Sequence, residues 1–239
     1  MKKCIHCFRP LKDKTKDHVF PRSWYPDDTP VNVQRWTVPS CLDCNNRLGV
    51  IEENLFVKLG ICVGPSQAEA SGISKRALER LGIGDLKIDE REKGHRAALR
   101  NKIIKEVIPY EEGMEPFPGT AHNLDLQGDR PIAILISQKD LLDVSKKVLR
   151  GCEFKISHRI IDYPYRLEVY FPNEKKIEFV SELFQKVSQV TYFGPGFEVK
   201  RGESDKDEMV ALYKVTIWGQ FKIYGAIGTE DYFNQMSAI

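Results

Sequence analysis

Four cysteines constrain this chain more than any other feature. Cys4 and Cys7, then Cys41 and Cys44, give the spacing C-x2-C-x33-C-x2-C. A two-residue gap lets both thiolates of a knuckle reach one ion at about 2.3 Å, and two knuckles complete a tetrahedral, closed and therefore structural zinc shell. Four free thiols or a redox pair form the competing reading, but a doubled C-x-x-C in a cytosolic chain reads as metal ligands. His6 lies inside the first knuckle and could ligate, although four thiolates suffice. Cys62 and Cys152 stand alone, far apart. Few apolar residues precede position 48, so the binding free energy of the ion becomes folding free energy for this segment.

The formal charge is only +2 over 239 residues, too small to imply a nucleic-acid partner for the whole protein. Its distribution is more telling: residues 1 to 25 hold seven Lys or Arg against two Asp, so the basic end coincides with the cysteine pairs. No stretch approaches the roughly 20 apolar residues of a membrane helix, and the N-terminus lacks the apolar run of a signal peptide, which predicts a cytoplasmic protein.

Residues 1–60 read as the first unit. Strand-like runs cover DHVF and VNVQRWTV, and a helical pattern begins at Cys44, with Leu48, Ile51, Leu55 and Leu59 on one face. The Gly-rich, small-residue stretch 60–72 predicts a linker. A helical and linker region follows to residue 128, with helices at SKRALERLGIG and DEREKGHRAALRNKIIKEVI capped by Ser74 and Asp89, and a long loop over 109–131. His95 and His122 receive no role. Residues 129–239 read as a second domain: IAILIS as strand, KDLLDVSKKVLRG as helix, EFKISHRII and RLEVYF as strands, and NEKKIEFVSELFQKVSQ as helix. Two β-rich runs close the chain. The expected fold class is α+β, a zinc-bound ββα unit followed by an α+β domain with a largely antiparallel sheet, resembling a ferredoxin-like sandwich.

Between the knuckles sits Asp17-His18-Val19-Phe20-Pro21-Arg22-Ser23, and directly after the last cysteine come Asn45 and Asn46. DHVFPRS and C-x-x-C-N-N-R-L-G together resemble the HNH endonuclease family, whose ββα-metal, treble-clef core often carries such a pair of zinc knuckles. The resemblance covers residues 1 to about 55. It implies that His18 is the general base, Asp17 a ligand of a catalytic divalent ion, and Asn45 the ligand at the third motif position. Where the family commonly has its middle asparagine, nine residues before Asn45, this chain has Trp36; Asn32 could substitute, and Trp36 could instead pack in the core.

The chemistry agrees with the resemblance. Phosphodiester hydrolysis needs a base for water and a cation for the charge that develops on oxygen. An imidazole with an ordinary pKa near 6.5 can be that base, and a carboxylate with an amide oxygen suits Mg2+ or Mn2+. Lys14, Lys16, Arg22 and Arg47 could grip phosphates, or be solvated surface charges. One geometric condition attaches: neighbours on a regular strand point to opposite faces, so Asp17 and His18 share a site only if the backbone is irregular there. The expected activity is metal-dependent cleavage of DNA, or of RNA, with the C-terminal domain selecting target, partner or a second copy. The alternative is an inactive zinc-stabilised module that binds nucleic acid or protein. In the C-terminal half His158 has no partner acid, and FGPGFEVKRG reads as a glycine turn and not a phosphate loop.

Overall fold

The computed structural model describes residues 3–12, 15–64, 67–83, 89–109, 132–172, 182, 184, 188–204 and 207–237. The fold is mixed α+β, with the four cysteines clustered near the N-terminus. Strand β1 (Thr15–His18) pairs antiparallel with β2 (Thr37–Ser40), and Cys41 leads directly into helix α1 (Leu42–Ile61). This is the expected ββα order, although β1 lies two residues earlier than the run DHVF and β2 is shorter than the run VNVQRWTV and begins near its end. The apolar face of α1 is buried at Leu48 and Leu55, with Ile51 partly so, because the 3.6-residue period carries these positions to the same side.

Helices α2 (Ile73–Arg80) and α3 (Glu90–Lys105) follow. Asp89 caps α3 as expected, accepting a 2.7 Å bond from the Glu92 N–H. Ser74 does not cap α2; Gly72 takes that position at φ 72°, a left-handed geometry suited to glycine. The stretch predicted as a linker is also not one. Helix α1 runs through Gly60 to Ile61, Ala70 is buried, and the Asp27 N–H donates to Ser71 O at 2.9 Å. Strands β3 (Val107–Pro109) and β4 (Ile132–Ile134) form a small antiparallel pair. Most of the predicted loop 109–131, with His122 and the boundary at 128, lies outside the described residues.

Helix α4 (Gln138–Ser157) is longer than its sequence pattern predicts. EFKIS alternates like a strand, yet these residues complete the helix, and His158 ends it in the left-handed conformation at φ 56°. The reason is tertiary: from a helix, Glu153 reaches Arg201 and Tyr213 in the sheet. Strands β5 (Arg166–Tyr170), β6 (Ser188–Gly194), β7 (Phe197–Glu203), β8 (Ala211–Ile217) and β9 (Phe221–Gly228) build a sheet ordered β5-β9-β8-β7-β6, antiparallel throughout. Four consecutive strands form a meander, which replaces the ferredoxin-like order. Gly196 closes the β6–β7 turn at φ 75°. The predicted helix over 173–189 lies largely outside the described residues, and helix α5 (Glu230–Ser237) ends the described chain.

The first unit and the sheet share one core. Phe20 stacks on Phe197 with ring centroids 4.0 Å apart, and Trp24 meets Trp218, whose indole N–H donates to Trp24 O at 2.6 Å. Gly151 on α4 is a close-approach point: a Cβ there would stand 2.8 Å from both methyls of Val19. The expected boundary at residue 60 therefore does not separate two cores. Helix α4 packs against both parts, meeting the first unit at Lys147 and Gly151 and the sheet at Glu153.

Candidate functional site

At the first knuckle, Phe8 is held at φ 62°, strained for a residue with a side chain, while the Phe8 N–H donates to Cys4 O and the Cys4 N–H to Arg9 O, both at 2.9 Å. The four cysteine Sγ atoms lie within 4.8 Å of one another, and Cys7 and Cys41 are 3.8 Å apart. A tetrahedron with metal–sulfur bonds of about 2.3 Å has edges of about 3.8 Å, so the donor set fits a metal ion such as zinc. Burial opposes ionisation of Cys4, but N–H bonds from Cys41, Cys7 and His6 overcome it and bring its pKa down to about 7. Burial and the neighbouring Cys41 thiol push Cys44 up. Such mutual opposition among crowded thiols is what a divalent cation relieves. Arg150 of α4 stands over this centre, its guanidinium 5.0 Å from the Phe8 ring centroid and donating to His6 O at 2.8 Å.

Asp17 does not face an open site. The β1–β2 ladder is regular through Asp17↔Val38 and His18↔Thr37, so the two side chains diverge as alternation requires. The carboxylate of Asp17 is buried: Oδ2 bonds His6 Nε2 at 2.9 Å and Oδ1 pairs with Lys147 Nζ at 2.8 Å. Lys147, from α4, pairs equally with Glu52 of α1. Burial works to raise the Asp17 pKa, but the His6 hydrogen bond and the Lys147 charge overcome it and hold Asp17 below the usual carboxylate range. Burial raises Glu52 despite Lys147. Both oxygens of Asp17 are thus committed, and the expected pairing of Asp17 with Asn45 around Mg2+ or Mn2+ does not fit this arrangement.

His18 is half-buried at the end of β1. Partial burial, then the charge of Arg22, hold its pKa below the ordinary imidazole value, with Lys147 and Arg35 adding to the effect and Asp17 opposing it. The imidazole is therefore neutral near pH 7 and free to accept a proton. Asn45 lies in the first turn of α1, its N–H bonded to Cys41 O. Of the expected phosphate contacts, Lys16 and Arg22 are exposed, Arg47 is paired with Asp143 at 2.6 Å, and Lys14 lies outside the described residues. Among the described residues, neither Arg22 nor Arg35 has an acidic partner within salt-bridge reach. Trp36 accepts the Val19 N–H on its carbonyl and meets Tyr192 of β6 edge-on at 5.6 Å, taking a packing role.

Sequence reasoning missed the cluster His6–Asp17–Lys147–Glu52. A readable sign existed: Glu52 falls between Leu48 and Leu55 on the apolar face of α1, and Lys147 beside Val144 and Val148 on α4, where an unpaired charge would be costly. His95 and His158 are exposed, and no described helix is long and apolar enough to cross a membrane. No protein-family model matches this chain, and neither do the curated proteins or the solved structures with which it was compared.

Proposed function

We propose that the chain acts on nucleic acid as an HNH-type phosphodiesterase, with a zinc ion held by Cys4, Cys7, Cys41 and Cys44 as a structural element and His18 as the general base. The observation that carries this reading is the position of His18: a half-buried, neutral imidazole at the end of β1, with the cations Arg22 and Arg35 within electrostatic reach and, among the described residues, in no ion pair. In this reading His18 takes a proton from the attacking water, and the two guanidiniums hold the phosphate oxygens on which charge develops. DNA is the expected substrate, with RNA as the alternative. A plasmid-nicking assay with added Mg2+ or Mn2+ tests it. Cleavage by the wild type that His18→Ala abolishes supports the assignment, and equal cleavage by the variant refutes it.

One observation favours a second reading. Asp17 is engaged by His6 and Lys147, which leaves no carboxylate for a catalytic divalent ion at the motif position. A zinc-stabilised module that binds nucleic acid without cutting it would need only the cations. Tight, salt-sensitive binding without cleavage at any divalent concentration is its signature.

A further inference from the structure

A cleft of about 380 Å³ opens between the loop before β2 and the β6–β7 hairpin. That volume is within the range of small-ligand sites. Its floor is the buried rings of Phe20, Tyr25 and Phe197, and its rim is the edge-to-face pair of Trp36 and Tyr192. Gln34 supplies an amide at the exposed mouth. The cleft lies beside the candidate site: Phe20 stands two residues beyond His18, and Trp36 precedes Thr37, the ladder partner of His18. Arg35, between Gln34 and Trp36, places its guanidinium 4.8 Å from the centroid of the Tyr25 ring and within electrostatic reach of His18.

Flat aromatic walls, one amide and the Arg35 guanidinium over the Tyr25 ring are complementary to a planar heterocycle attached to an anion. We propose that this cleft holds an unpaired nucleobase of a single-stranded nucleic acid, its ring against Trp36 and Tyr192 and its phosphate on Arg35 and Arg22. The proposal rests on the reading that the chain acts on nucleic acid, and it specifies the form of the substrate: a base inside a duplex cannot enter unless it is extruded. Stacking of this kind tolerates any base, because every base has a π-face, so single-strandedness is selected ahead of sequence.

The test uses the intact, zinc-loaded chain and a labelled thymidine oligomer of about ten nucleotides. Of the three tryptophans, Trp24 and Trp218 are buried, so Trp36 is the one an entering base can quench. The expected result is binding by anisotropy together with quenching of tryptophan fluorescence. Trp36→Ala and, independently, Tyr192→Ala weaken binding roughly ten- to a hundredfold, and Trp36→Phe retains most of it. Tyr192 is exposed at the hairpin, so its variant keeps the test open if Trp36→Ala fails to fold. Undiminished binding by both alanine variants, absence of quenching, equal affinity for a fully paired duplex, or equal affinity for thymidine monophosphate would each overturn the proposal. His18→Ala separates it from the activity. Quenching without cleavage by the wild type leaves the cleft standing and removes the nuclease, whereas His18-dependent cleavage unaffected by Trp36→Ala or Tyr192→Ala removes the cleft alone.

Discussion

Replacing Lys147 with Met keeps the length and much of the volume of the side chain while removing the charge between Asp17 and Glu52. The lysine side chain is 1% exposed and its ammonium lies 2.8 Å from Asp17. At an effective dielectric constant of about 20, that contact alone amounts to a gross attraction of about 6 kcal/mol. Much of it offsets the cost of desolvating the ions, but deleting one member of a buried cluster leaves the others uncompensated, and such deletions cost about 3–5 kcal/mol. For a chain of this size that corresponds to a fall in Tm of about 6–20 °C. The assay is urea denaturation followed by two probes, far-UV ellipticity for the whole chain and a chelating dye for the four-cysteine centre. Both signals should move to lower urea together, since Lys147 belongs to α4 and its partners to β1 and α1. Adding Glu52→Gln should recover at least about 1 kcal/mol, because one of the two stranded carboxylates is gone. A single-variant cost below about 1 kcal/mol, or strict additivity in the double variant, would refute the reasoning.

Glu153→Gln tests the second buried ion cluster. Burial works to raise the Glu153 pKa, but Arg201, Tyr213 and Arg159 overcome it and depress it. A depressed carboxylate contributes stability that is present above its unfolded pKa of about 4.3 and is lost as pH falls through the lower folded value. The variant should therefore be less stable than wild type by about 3–5 kcal/mol at pH 7, with the gap narrowing below about pH 4; equal gaps in denaturation at pH 7 and pH 3 would contradict this. Cys41→Ala should release the metal and unfold the N-terminal unit, measured by metal content and thermal unfolding, and unchanged values for both would count against a structural ion.

What could be read in the sequence is what local chemistry determines. The cysteine spacing, the apolar face of α1, the Asp89 cap and the Gly-Pro-Gly turn between β6 and β7 each follow from a few neighbouring residues. The errors arise where distant partners decide. EFKIS alternates like a strand but is held in α4 by Glu153, whose partners Arg201 and Tyr213 lie 48 and 60 positions away. Residues 60–72 have the composition of a linker, yet Ala70 is buried and Ser71 O accepts from the Asp27 N–H. At the candidate site the identity of His18 and Asp17 was legible. The direction in which Asp17 points was not, because Lys147, which claims it, lies 130 positions further along.

Helix α4 touches the first unit through Lys147 and Gly151 and the sheet through Glu153. Lys147 and Glu153 are six positions apart, about 9 Å along the axis. The first unit, which bears Trp36, and the sheet, which bears Tyr192, are thus joined by one rigid element, as two parts are by a splint. Loosening either end of such a splint should be felt at both: a change at Lys147 reaches the sheet, and a change at Glu153 reaches the four-cysteine unit.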